Sequence, residues 1–112
     1  MKFNYIYGKQ AEQYDYLYIP KAFMKEELFK SMTASAKIMY AVLMEKQQKS
    51  VEMGWIDEKD HAYILANIVA IGTELNWDEA EVLAAVEELE RFGLVETAEK
   101  SEDIKLYLKR FV

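Results

Sequence analysis

The stretch NWDEAEVLAAVEELERFGLVE, residues 76–96, constrains the fold more than any other part of the chain. Val82, Ala85, Val86 and Leu89 recur at i, i+3, i+4 and i+7, and Gly93 continues the series, so one face of a helix is apolar. Asp78, with Glu81 three residues on, forms a D-x-x-E variant of the capping box and marks where that helix begins. Gly93 stops it, since a helix closes most readily on a residue that accepts positive φ. The β-prone Gly93-Leu94-Val95 then switches the period from 3.6 to 2. A capped amphipathic helix that runs straight into a strand has to share its core with a sheet.

The same reading extends to both sides. Upstream, Thr33 caps a helix with Ala36, Met39, Tyr40 and Leu43 on one face, running to about Lys49 before a turn at Gly54. Its methionines read as core filler. Residues 61–65 read as a short β segment, and Asn67 as the cap of a helix with Ile68, Ile71 and Leu75 inside. Asn76 and Trp77 make the turn into the helix that follows, where Trp77 reads as a staple. Downstream, residues 94–97 read as a strand and residues 99–103 as a polar loop. Residues 104–111 read as a second strand, with Ile104, Leu106 and Leu108 alternating against Lys105, Tyr107 and Lys109.

At the start of the chain Phe3, Tyr5 and Tyr7 alternate with Asn4 and Ile6, and Tyr14, Tyr16 and Tyr18 alternate again. That pattern predicts extended strands ended by Pro20, used for packing or as an edge that pairs with a second copy of the chain. The order predicts an α+β fold: a winged helix-turn-helix with an additional N-terminal β segment, one domain over residues 1–112.

Composition narrows the chemistry. No apolar run reaches the roughly 18 residues of a membrane span, and the start lacks the apolar core of a signal peptide. With no cysteine there is no disulfide framework or thiolate metal site, and a cytoplasmic context is the default expectation. His61, the single histidine, stands near Asp57, Glu58 and Asp60, a pattern commoner in loops than in metal sites. No Gly-rich phosphate loop and no nucleophile–base pairing is present, so a non-enzymatic chain without metal or cofactor is expected.

Several strings are distinctive: YIPKAFM, MTASAKIMYAVLMEKQQKS, GWIDEKDHAYI and the closing VEELERFGLVE, in that order. Over residues 17–95 the chain resembles the N-terminal domain of replication initiator protein A, found on theta-replicating plasmids and related mobile elements of Gram-positive bacteria. The residues that carry the resemblance are Ile19-Pro20-Lys21-Ala22, Ala36-Lys37 with Tyr40 and Leu43, and Gly54-Trp55-Ile56-Asp57 followed by Tyr63-Ile64. The resemblance implies a winged-helix domain that dimerises and binds repeated sites on double-stranded DNA at a plasmid origin. It also implies a further C-terminal domain in full-length members, so that this chain is either a module of such a protein or a standalone relative. Lys46 matches a position usually basic in the first helix, and Asn76 matches the turn asparagine. Family members usually carry lysines where Glu79, Glu81, Ala84 and Glu87 stand here.

Charge is the point of tension. The net charge is −6, and residues 78–93 hold Asp78, Glu79, Glu81, Glu87, Glu88 and Glu90 against Arg91 alone, or −5. A carboxylate about 8 Å from a phosphate in water costs on the order of 0.5 kcal/mol before screening, so a handful costs roughly 1–3 kcal/mol. Two readings of function result. In the first, the domain binds origin repeats as a homodimer, Lys46, Lys100, Lys105, Lys109 and Arg110 holding phosphates while Asn76 and Trp77 approach the groove. In the alternative, the acidic third helix serves association with a basic protein partner and does not enter DNA. First-turn acids that favour the helix dipole, and an i,i+4 pair between Glu87 and Arg91, provide a third account in which the acidic face is merely solvated.

Overall fold

Local chemistry starts the three longer helices where the sequence places them. The computed structural model describes residues 2–8, 15–100 and 103–110, with the backbone alone at 99 and 100. Its elements are α1 (Ala22–Lys25), a 3-10 turn (Glu27–Phe29), α2 (Ala34–Gln47), α3 (Ser50–Met53), β1 (Ile64–Asn67), α4 (Ile68–Leu75), α5 (Glu79–Arg91), β2 (Val95–Lys100) and β3 (Asp103–Leu108). Thr33 Oγ1 accepts from the Ala36 amide at 3.2 Å and opens α2. Asn67 Oδ1 accepts from the Ala70 amide at 2.9 Å and opens α4. Asp78 Oδ1 accepts from the Glu81 amide at 2.8 Å and opens α5. Each bond satisfies one of the amides left over in a first helical turn.

The helices close as clearly. Gly93 has φ +79°, its amide donates to Glu90 O at 2.9 Å, and the Leu94 amide donates to Leu89 O at 3.0 Å. That bond pair is a Schellman closure, and it turns the chain directly into β2. Asn76 does the same for α4 in a left-handed conformation, φ 59°, with the Trp77 amide donating to Gly72 O at 2.8 Å. A Cβ on Gly72 would lie 2.7 Å from Trp77 O, so the tight passage from α4 into the turn depends on the missing side chain.

The sheet is antiparallel with order β1-β3-β2, Ile64 pairing with Leu106 and Val95 with Leu108. A register shift interrupts the wing between Thr97 and Glu99. Ile64, Ala66, Ile104 and Leu106 turn to one face and are buried with Met39, Tyr40 and Leu43 of α2, Ile71 of α4 and Val82, Val86 and Leu89 of α5. Helices therefore cover one face of the sheet. Helix, strand, helix-turn-helix and two-stranded wing make a winged helix. No helix among the described residues is long and apolar enough to cross a membrane.

Among the described residues the expected N-terminal β segment does not form. Residues 2–7 and 15–20 form no strand, while Tyr14 and residues 9–13 lie outside the described residues. Pro20 O instead accepts from the Phe23 amide and begins a helical passage that puts Phe23 and Phe29 into the core, their ring centroids 4.9 Å apart. Alternation states which side a residue would take in a strand, but without a paired neighbour the backbone bonds of that strand have no partner. Phe3, Tyr5 and Tyr18 accordingly remain 89%, 82% and 79% exposed. Smaller shifts concern boundaries: the segment expected at 61–65 becomes a bridge between Ile56 and Ala62 followed by β1, β2 extends into the expected loop to Lys100, and the second wing strand, expected over 104–111, is Asp103–Leu108.

Candidate nucleic-acid interface

In the helix-turn-helix α4–α5, the turn presents one of its two residues and packs the other. Asn76 is exposed in its left-handed conformation, whereas Trp77 is half-buried against the core. Trp77 thus has the stapling position that its place in the sequence suggested.

The acids of α5 divide by direction, and that division changes the electrostatic picture. Val82, Ala85, Val86 and Leu89 face inward. At 100° per residue the opposite side is Ala80, Ala84, Glu87 and Arg91, all exposed, with Leu83 on one flank at 39% exposure. Glu88 leans to the α2 side, where its carboxylate accepts from the Thr33 amide at 2.7 Å and from the Thr33 hydroxyl at 2.8 Å. Glu90 leans to the wing side and accepts from the Thr97 hydroxyl at 2.8 Å. Asp78 is the cap. Two of the six carboxylates therefore position α5 against its neighbours, a third caps it, and Glu79 and Glu81 flank its first turn. The outward stripe holds one acid and one base. Glu79, Glu81 and Glu87 remain exposed on α5, while Glu88 and Glu90 are turned to its flanks by their bonds to Thr33 and Thr97. The expected Glu87–Arg91 pair does not form among the described residues.

The bases do not gather beside that stripe. In β3, Ile104 and Leu106 face the helices, so Lys105 and Tyr107 lie on the opposite, uncovered face of the sheet. Lys105 Nζ sits 4.5 Å from the Tyr63 ring centroid and 5.9 Å from that of Tyr107. Lys109 Nζ pairs with Glu96 at 3.1 Å, and Lys46 Nζ with Glu74 across to α4 at 3.5 Å. Such exposed pairs contribute little, but each occupies its cation. Arg110 is exposed, and the Lys100 side chain lies outside the described residues.

Lys105, Lys109 and Arg110 share an open depression with Asp57, Lys59, His61 and Tyr107. Asp57 organises this area. Its Oδ1 accepts from the Lys59 and His61 amides at 2.9 and 2.8 Å, and its Oδ2 accepts from the Tyr107 hydroxyl at 2.8 Å. The His61 amide bond, opposed by partial desolvation and assisted by Tyr107, holds the carboxyl below its ordinary range. Reciprocally, the bond to Asp57 raises the Tyr107 phenol. His61 Nδ1 stands 3.8 Å from Asp57 Oδ2, and among the described residues no three metal-ligating groups converge. The Gly54-Trp55-Ile56-Asp57 string thus shapes a turn that ties residues 55–63 to β3.

Sequence reasoning missed the roles of Glu88, Glu90 and Asp57, which depend on contacts across 55, 7 and 50 residues respectively. It also passed over the outward stripe of α5, whose signal was present: residues 80, 84, 87 and 91 follow the helical period opposite Val82 and Val86.

A family model described as the N-terminus of replication initiator protein A (RepA) matches residues 15–112. Three solved structures are similar to this chain, each at 24% identity. A structure of the N-terminal domain of a DNA-binding protein superposes with a TM-score of 0.78, covering 99% of this chain and 86% of that one. A Rep–DNA complex gives 0.78 over 97% and 85%, and an MDR initiator 0.76 over 96% and 86%. At that identity the likeness carries the fold. No curated protein matches significantly.

Proposed function

This chain belongs to the family of the replication initiator protein A N-terminus, and on that premise we propose that it is the winged-helix DNA-binding domain of a plasmid or mobile-element replication initiator, holding origin repeats as a homodimer. The role is non-catalytic and cytoplasmic. The structural observation that supports it is the direction of the α5 acids: the outward stripe carries Ala80, Ala84, Glu87 and Arg91, with Glu79 and Glu81 at the flanks of the first turn and Glu88 and Glu90 bonded to α2 and the wing. Asn76 stands at the groove edge, and Arg110 supplies a phosphate contact from the end of the wing, joined by Lys109 when it exchanges Glu96 for a phosphate. Lys46, Trp77 and Lys105, paired or packed within the fold, support the interface indirectly. The exposed aromatic residues at the start of the chain favour a second copy as their cover.

Electrophoretic mobility on a random duplex pool, at about 50 and about 200 mM salt, tests this reading. Affinity is expected to fall steeply with salt, with a log–log slope of about −0.9 per phosphate contact. Arg110→Glu together with Lys109→Glu is expected to weaken binding at low salt and flatten that slope. A folded protein that shifts no duplex at the lower salt contradicts the proposal.

A further inference from the structure

We infer that Glu88 and Glu90 are positioning residues for duplex binding, fixing the roll of α5 about its own axis between α2 and the wing. Two acids of a strongly negative helix thereby assist contact with a polyanion. The inference rests on the DNA-binding reading and adds which carboxylates of α5 serve it and which oppose it. At 100° per residue, Glu88 and Glu90 stand on either side of the fully buried Leu89. On one flank Glu88 accepts from the Thr33 amide and hydroxyl at 2.7 and 2.8 Å, at the cap of α2. On the other, Glu90 accepts from the Thr97 hydroxyl at 2.8 Å, in β2 where the wing register shifts.

Burial of the inner face is non-directional and resists such a roll weakly, whereas a hydrogen bond weakens steeply once misaligned. One anchor on each flank opposes rotation in both senses. At a radius of about 5–6 Å, a roll of about 20° carries an outward side chain about 2 Å sideways. A binding constellation has to be held to roughly 0.5 Å. The side chains of Glu79, Glu81 and Glu87 are exposed and bonded to nothing among the described residues. Each of these three repels a nearby phosphate and weakens binding about twofold before screening. Charge alone would make Glu88 and Glu90 liabilities of the same kind; their anchoring bonds reverse the sign.

The test compares variants that remove the same charge, on a duplex selected from a random pool by the wild-type chain, at a temperature where circular dichroism shows every variant folded. Glu87→Ala is expected to tighten binding about twofold. Glu88→Ala and Glu90→Ala are expected to weaken it about fivefold, the loss of roughly one contact. Thr97→Val keeps shape and charge but removes the donor, and is expected to weaken binding as Glu90→Ala does. Thr97→Ser, which retains the hydroxyl, is expected to bind as the wild type. The double variant Glu90→Ala, Thr97→Val is expected to be no weaker than either single one, since both break one bond. Tightening by Glu88→Ala or Glu90→Ala, weakening by Glu87→Ala, or unchanged affinity of Thr97→Val overturns the inference and leaves DNA binding intact. A wild-type chain that retains no duplex from the pool overturns the DNA-binding reading together with it.

Discussion

Glu88 reaches from α5 to the first turn of α2, where its two oxygens accept from the amide and the hydroxyl of Thr33. Thr33 Oγ1 in turn accepts from the Ala36 amide, so one threonine links two helices. Glu88→Ala leaves that amide without its protein partner and is expected to cost about 1–2 kcal/mol in urea unfolding, with Glu88→Gln intermediate. Unfolding of Glu88→Ala at the wild-type midpoint would show the carboxylate to be an ordinary surface charge. Asp57 gives a second residue-level prediction. Its folded pKa is depressed, so its stabilisation is complete above the unfolded value of about 4 and is lost as pH falls through the folded value. Tyr107 is raised, so its share is complete below about 10 and lost as pH rises through its folded value. Thermal midpoints measured from neutral to acid pH should therefore converge for the wild type and Asp57→Asn, the wild type losing its advantage on acidification. A gap that stays constant with pH would refute the assignment.

Between α4 and α5 the backbone passes so close to itself that a methyl group has no room. Gly72→Ala is expected to force Trp77 O aside and to cost about 1–3 kcal/mol, read as a lowered thermal midpoint with the helical circular dichroism retained. A midpoint unchanged by Gly72→Ala would mean that the turn relaxes freely. This element also shows where the sequence is informative. The Thr33, Asn67 and Asp78 caps, the Gly93 closure and the inner faces of α2, α4 and α5 were all legible, because each is decided within three or four residues. The need for glycine at position 72 was not, since it depends on how the turn folds back over the helix. The N-terminal tyrosines misled for a related reason: alternation is local, while the partner that makes a strand is not. In the candidate interface, the acids of α5 were counted correctly from the sequence, but their directions required the packing of α2 and β2 on either side.

Taken whole, the molecule separates an outward helix stripe from a sheet face on which Lys105, Tyr63 and Tyr107 meet, with the exposed residues Phe3, Tyr5 and Tyr7 outside both. If those aromatic residues are covered by a second copy, deletion of residues 2–8 is expected to shift a dimer toward monomer in sedimentation equilibrium, with the fold unchanged by circular dichroism. An unaltered mass would place the dimer contact elsewhere. Stiffness is the other property at this scale. The Lys109 amide donates to Leu94 O at 2.8 Å, and Lys109 O accepts from the Tyr40 hydroxyl at 2.9 Å, so the end of β3 is fastened both to the residue that leaves α5 and to the middle of α2. Helix and wing then behave as the two jaws of a fixed calliper. The separation between whatever each jaw touches is set by the protein, and a target with an extra step inserted between those two points has to bend or untwist to be held.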